Sequence, residues 1–356
     1  MARLNGGQMR ARERGWEPRN HVVRRLEPSE VGNEPLGTRS GNDLTVTTSM
    51  RDGGTLVHAA LLYRRPDQLR IALEEFVRDA AAAGEPCLVA LPPDHLEQLG
   101  DILQQTGATV RLENMADLGR NPARLIPSMV DWLDEQAGPA RVVSEALWPE
   151  RSYAEVAECM RHEALLNLAL ADCDVSVLCP YDAEHLDGEI LAGAELTHPR
   201  LIDDVGLRPS MSYGDPVQVA AGSGWPQADP APPVTDLAFD GDLGQLRHAL
   251  AADPLLAELA PARREDLVFA VNEAASNALR HGDGRPRARV WRDADDVVGE
   301  ISSTTTIDDP LAGRRTPDPA AGGGRGLWLI NQVCDLVEVR SDGEGASVRM
   351  HVALTG

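Results

Sequence analysis

The chain has 356 residues and a formal charge of −22 at neutral pH, from 34 basic and 56 acidic side chains. Every basic residue is arginine, which excludes a Walker-A phosphate loop, a Schiff-base lysine and any other mechanism built on an ammonium group. The acid excess repels phosphate backbones and anionic lipid, so neither nucleic acid nor a membrane is an expected partner.

The length suggests two domains of about 150 residues each. With 42% hydrophobic but only 4% aromatic residues, alanine, valine and leucine must fill the cores. Residues 1–50 carry a charge of +2, are polar with glycine and proline throughout, and show no sustained period. Such a segment cannot offset the entropy of ordering itself and reads as a disordered tail.

From Leu56 short apolar runs alternate with longer amphipathic ones within a stretch, residues 51–234, whose net charge is −17. The runs Leu56–Tyr63, Cys87–Leu91, Thr109–Leu112, Arg141–Leu147 and Val175–Cys179 read as strands. Helices are expected near Gln68–Ala83, Pro93–Thr106, Ala123–Gln136 and Tyr153–Ala171. The alternation predicts an α/β domain over 51–215 with a mainly parallel sheet. Such sheets bind ligands at the carboxyl ends of their strands, which marks the turns after Leu91 and Cys179 as ligand-facing candidates.

Residues 216–234 are rich in glycine, proline and alanine and read as an interdomain linker. The last segment, 235–356, has a charge of −7. It predicts helices Asp242–Ala252, Arg263–His281 and Leu327–Cys334, and strands Arg287–Arg292, Val297–Ser302, Leu336–Ser341 and Ser347–Ala353, together an α+β sandwich. The five cysteines, Cys87, Cys159, Cys173, Cys179 and Cys334, lack paired metal-ligand spacing and read as reduced, mostly buried thiols. No apolar run reaches the roughly 18 residues of a membrane span and no secretory apolar core opens the chain, so a soluble, cytoplasmic protein is expected.

Within the long helix Glu273, Asn277 and His281 recur every fourth residue and project from one face. A carboxylate there can deprotonate an attacking hydroxyl, and an amide oxygen suits Mg²⁺, a hard cation. The same spacing also suits an exposed polar stripe. Downstream, Gly322-Gly323-Gly324-Arg325-Gly326-Leu327-Trp328 runs into a helix, where exposed backbone N–H groups and the helix N-terminus favour an anion and Arg325 supplies a cation.

In this order FAVNEAASNALRHG, DDPLAGRR and GGGRGLWLINQVCD resemble the GHKL or Bergerat-fold ATPases, in particular the serine-kinase domains of bacterial anti-sigma factors. The resemblance implies ATP and Mg²⁺ as cofactors, with Glu273 as catalytic base and Asn277 as the Mg²⁺ ligand. It places His281, Asp309, Gly322, Gly324, Arg325, Gly326 and Leu327 among the nucleotide contacts. It also implies a sigma factor or an anti-anti-sigma protein as partner and leaves a homodimer open. One departure concerns the adenine contact, where the family carries Asp-x-Gly and this chain has Ser303 and Thr305. A serine hydroxyl accepts a hydrogen bond without charge and holds adenine less well. A threonine expected near the last strand is represented by Ala346 or Ser347, according to register.

The stretches HAALLY at His58, RVVSEALWP at Arg141, RHEALLNLAL at Arg161 and LCPYD at Leu178 resemble the MEDS sensory domain, which implies a sensing role without fixing a ligand. The combined expectation is a sensory domain controlling an ATP-dependent serine/threonine kinase. Two alternatives stand beside it: a non-catalytic protein-binding switch with a degenerate ATP site, and a sensor histidine kinase whose acceptor is His162, followed by Glu163. An ordinary helix histidine fits His162 better, because a proline-rich linker separates it from the ATPase helices. His198 and the Tyr181-Asp182 pair read as packing or turn residues.

Overall fold

Short strands joined by amphipathic helices build the first sheet. The computed structural model describes residues 55–222, 227–230, 232–282, 285–318 and 324–354, so the tail expected over residues 1–50 lies outside the described residues. The N-terminal elements are β1 (Val57–Tyr63), α1 (Pro66–Ala83), β2 (Cys87–Leu91), α2 (Pro93–Gln104), β3 (Val110–Asn114), α3 (Met115–Leu118), a 3₁₀ turn (Pro122–Arg124), α4 (Leu125–Asp134), β4 (Ala140–Ser144), α5 (Tyr153–Ala169), β5 (Val175–Asp182), α6 (Gly188–Thr197), β6 (Arg200–Asp203), β7 (Gly206–Pro209) and α7 (Pro216–Ala220).

Local chemistry sets the helix ends. Proline occupies the first turns of α1 and α2, where its missing N–H costs nothing. Ser152 and Glu155 form a reciprocal capping box on α5, and Gly84 closes α1 in the left-handed region at φ 71°. The sheet order is β3-β2-β4-β5-β1-β6-β7; the first six are parallel and β7 runs antiparallel to β6. One face packs Leu69, Leu73, Phe76 and Val77 of α1 with Leu99 and Leu103 of α2. The other packs α4, α5 and α6 on Ala60, Val142, Val177 and Cys179. Burial on both faces explains why the strands read as continuous apolar runs.

The second domain comprises β8 (Val234–Leu237), α8 (Leu243–Ala252), α9 (Pro261–His281), β9 (Arg287–Asp293), β10 (Asp296–Ser303), α10 (Gly326–Val333), β11 (Leu336–Asp342) and β12 (Gly345–Ala353). Its sheet, β11-β12-β10-β9-β8, is antiparallel throughout. The segment expected as linker is therefore not all connector: α7 lies at its start, and β8 begins at its last residue and pairs with β9. Helices α8, α9 and α10 cover one face, where Leu246, Leu267, Val271 and Ile330 meet Val290, Val297, Ile301 and Met350. Among the described residues no helix is long and apolar enough to cross a membrane.

The opposite face is ionic. Glu300 lies directly between Arg289 on β9 and Arg349 on β12, accepting hydrogen bonds at 2.9 and 2.7 Å. His351 is buried between Glu338, 3.0 Å away, and Asp296, 3.6 Å away. Burial alone would lower the His351 pKa, but hydrogen bonds and charges from Asp296 and Glu338 outweigh it and raise it to about 9. The raised value means that the proton stabilises the fold below about pH 6.5 and that this stability is lost as pH rises toward 9. Thermal unfolding followed from pH 6 to 9.5 should show a falling midpoint, with about 3 kcal/mol at stake; His351→Gln should flatten the slope.

Candidate functional site

A cavity of about 690 Å³ opens between α9, the sheet and the start of α10. Its volume falls within the range of small-molecule and cofactor sites. Glu273, Asn277 and His281 line it from α9, as their spacing predicts. Ser303 lines it from the end of β10, Asp309 and Leu311 from the following loop, and Gly324, Arg325, Gly326 and Leu327 from the entry to α10. Of the eleven residues that sequence reasoning assigns to the site, nine converge here from four separate stretches of chain; Gly322 lies outside the described residues and Ser347 lies elsewhere.

Ser347 is the correction. Strand side chains alternate between faces, and the pairing of Ser303 with Ala346 puts Ala346, not Ser347, on the cavity side. Ser347 faces the ionic side of the sheet and donates to the side-chain oxygen of Gln227 at 3.0 Å. The cavity therefore receives a methyl group where the family resemblance implies a hydroxyl.

Close approach explains one glycine at each end of the site. A Cβ on Gly326 would collide with Asn277 Nδ2 and come within 2.6 Å of Glu273 Oε1, so the first turn of α10 rests directly on both side chains. At the other end a Cβ on Gly282 would overlap the Thr305 hydroxyl, so the branched side chain that replaces a family glycine is accommodated by a glycine across from it. The Thr305 hydroxyl is buried and lacks a hydrogen-bond partner in the protein. Asn277 Oδ1 accepts from Arg280 at 3.0 Å.

The loop between β10 and α10 is fastened to the N-terminal domain. Glu158 on α5 is fully buried and accepts from Arg314 at 2.6 Å and from Arg340 on β11. Burial would raise the Glu158 pKa, but Arg340, Arg314 and Arg161 hold it below the ordinary carboxylate value. Arg124 donates to the backbone oxygens of Asn331, Gln332 and Cys334, the orphan carbonyls at the end of α10, at 2.7 to 2.9 Å. Asn121 donates to Asn331, whose amide in turn donates to the Gly313 carbonyl at 2.9 Å. Thr316, on the cavity rim, donates to Asp131 on α4.

The N-terminal domain holds two polar clusters of its own. At the carboxyl ends of the strands, Glu145 accepts from the Tyr63 hydroxyl at 2.9 Å and lies 2.7 Å from His95 in the first turn of α2. Burial raises the Glu145 pKa, while its hydrogen bond to Glu145 raises that of His95. Deeper inside, His58, Glu163, Cys179 and His198 converge. Sequence reasoning missed this second group and read His198 as packing, because its members lie far apart on four elements. His162 is fully buried and desolvation pushes its pKa down to about 4, an environment closed to a phosphoryl donor.

An antiparallel sheet with helices on one face, and a cavity between a Glu/Asn helix and a glycine-opened helix, defines a GHKL-type ATPase domain. The family comparisons agree: the histidine kinase-like ATPase domain model matches residues 238–352, and the MEDS model (MEthanogen/methylotroph, DcmR Sensory domain) matches residues 57–199. The chain contains a MEDS domain followed by a histidine kinase-like ATPase domain. No curated protein matches it.

Two substitutions check this geometry. Gly326→Ala should displace the Glu273 and Asn277 side chains and weaken nucleotide binding at least severalfold while leaving the melting temperature nearly unchanged, measured by calorimetric titration and scanning. Glu158→Ala removes the buried carboxylate that Arg314 and Arg340 share, and breaking such a pairing costs about 3–5 kcal/mol. Scanning calorimetry should then resolve two unfolding transitions where the parent protein shows one.

Proposed function

We propose that the cavity binds ATP with Mg²⁺ and that the C-terminal domain is a protein serine/threonine kinase acting on an anti-anti-sigma partner under control of the MEDS domain. The observation that carries the reading is the convergence of Glu273, Asn277 and the Gly324–Leu327 turn on one cavity. The residues fit the group: a cavity of nucleotide size, a carboxylate beside an amide, and a glycine contact that leaves no room for a side chain. Bound Mg²⁺-ATP supplies the transferable phosphoryl group and the charge neutralisation that phosphoryl transfer requires.

Within that frame Glu273 takes the proton of an attacking hydroxyl. Asn277 offers the hard oxygen ligand, and Arg280, now hydrogen-bonded to that oxygen, must turn aside when a cation binds there. The exposed N–H groups at the start of α10 and the Arg325 guanidinium face anionic oxygens, the role a lysine fills elsewhere. Ser303 stands where adenine is recognised and offers a neutral acceptor.

Control by the MEDS domain rests on the fastening of the β10–α10 loop. Arg314 and Gly313 sit within the segment that lines the cavity, and both connect to the N-terminal domain, Arg314 through Glu158 and Gly313 through Asn331 and Asn121. A signal that moves these partners moves the cavity wall.

A second reading, a non-catalytic protein-binding switch, is favoured by the loss of the adenine-site carboxylate and by Ala346 in place of a hydroxyl. One experiment separates the two. The purified chain, Mg²⁺-ATP labelled at the γ position and an anti-anti-sigma protein should yield acid-stable phosphate on the partner, lowered roughly 10²–10⁴-fold by Glu273→Gln. Calorimetry should register ATP binding that Asn277→Ala abolishes and Ser303→Asp strengthens about tenfold. No heat at millimolar ATP, with intact partner binding, establishes the switch instead.

A further inference from the structure

Four donors from four elements meet in the buried interior of the MEDS domain: His58 on β1, Glu163 on α5, Cys179 on β5 and His198 just after α6. All four side chains are buried, and their ligand atoms lie within 4.8 Å of one another. His58 Nε2 and His198 Nε2 stand 3.3 and 3.4 Å from the same Glu163 oxygen, and Cys179 Sγ lies 3.4 Å from His58 Nε2 and 3.5 Å from Glu163. The edges of a tetrahedron around a zinc-sized ion, with bonds of ~2.0–2.1 Å to N and O and ~2.3 Å to S, are about 3.3–3.6 Å long. Four of the six donor-to-donor distances have the lengths of such a shell, and all six lie within 4.8 Å.

The outer hydrogen bonds fix which ring nitrogens point inward. Asn167 donates its amide to the carbonyls of Glu163, Ala164 and Thr197, which turns its own oxygen toward His58 Nδ1 at 3.1 Å. His198 Nδ1 meets the Ala194 carbonyl at 2.9 Å, an atom that only accepts, and the Thr197 hydroxyl at 2.9 Å, whose own proton goes to the Gly193 carbonyl. Both Nδ1 atoms thus carry the proton, and both Nε2 lone pairs face the carboxylate. Outward N–H groups held by carbonyl or amide oxygens are the usual support of metal-binding histidines. His198 Nε2 makes no hydrogen bond in the protein.

We propose that His58, Glu163, Cys179 and His198 form a closed tetrahedral site for a divalent transition-metal ion of the Zn²⁺ class. Two imidazoles, one carboxylate and one thiolate match a borderline-soft ion, and a thiolate excludes Mg²⁺ and Ca²⁺, which take oxygen. Binding displaces the Cys179 proton to solvent. The two anionic ligands then cancel the charge of the ion, so the filled site is neutral, as its burial requires. Because all four positions are protein atoms, the site suits sensing or structure, not hydrolysis.

The test uses the full chain expressed in zinc-supplemented and, separately, cobalt-supplemented medium and purified without chelator. The expected result is one equivalent of metal per chain by elemental analysis and, in the cobalt form, a thiolate-to-cobalt charge-transfer band with tetrahedral ligand-field absorption. Cys179→Ser should remove the band while Cys173→Ser, at a half-exposed thiol outside the cluster, keeps it. Asn167→Ala, which leaves the four ligands in place, should weaken metal retention against a competing chelator roughly 10- to 100-fold. Protein that folds with no bound metal, or a band that survives Cys179→Ser, overturns the site. Should Cys179→Ser fail to fold, the spectrum of the unsubstituted protein and the Asn167→Ala competition decide.

Discussion

Glu158 is the constraint around which the two domains are arranged. A carboxylate at zero exposure is tolerated only when charge and hydrogen bonds replace the lost water, and here Arg314 and Arg340 from the ATPase domain and Arg161 from its own helix supply both. The converse holds more strongly. Three guanidinium groups brought together around one carboxylate repel each other, and Arg161 is pushed down to about 10 by burial. Some of their N–H groups find no partner in the protein. Removing Glu158 in place would leave guanidinium groups without their carboxylate in the packed junction, so this ion cluster fixes how the two domains meet.

The lysine-free composition acquires a structural meaning at this junction. Arg124 reaches three carbonyls at the end of α10 from one guanidinium, and Arg161 bridges the carbonyls of Ala220 and Val339. The planar fork of arginine has donors in fixed directions; an ammonium at the end of a flexible stem does not. The same composition shapes the cavity, whose lining includes the guanidinium groups of Arg280, Arg315 and Arg325.

Much of the architecture was legible because local rules and the fold agree. The five apolar runs became strands, and the Glu273-Asn277-His281 face and the glycine turn met in one cavity, since a four-residue spacing and a helix-opening turn are properties of the chain itself. What was hidden depends on register or on distance along the chain. Whether Ala346 or Ser347 faces the cavity is decided by the pairing with Ser303, which no single-strand pattern specifies. Helix α6, with sequence GEILAGAELT, has small and apolar residues around its circumference and no clear period. Strand β8 follows directly on a proline pair and owes its extended form to β9. The His58–Glu163–Cys179–His198 group is invisible to any spacing rule, because parallel pairing of β1 with both β5 and β6 is what gathers it.

Helix α5 joins these levels. It carries Glu163 into the buried donor cluster and, five residues earlier, Glu158 into the interdomain junction. On a helix five residues rise about 7.5 Å, so the two carboxylates ride on little more than one rigid turn. A close-packed interior does not absorb the displacement of such a turn gradually, and neighbouring contacts must shift with it. Any change that moves Glu163 is therefore resisted or transmitted at Arg314, next to Gly313 and Arg315 in the cavity wall. The path from the buried donor cluster to the cavity wall is short because one helix carries both carboxylates, and its length does not depend on which ligand either site holds.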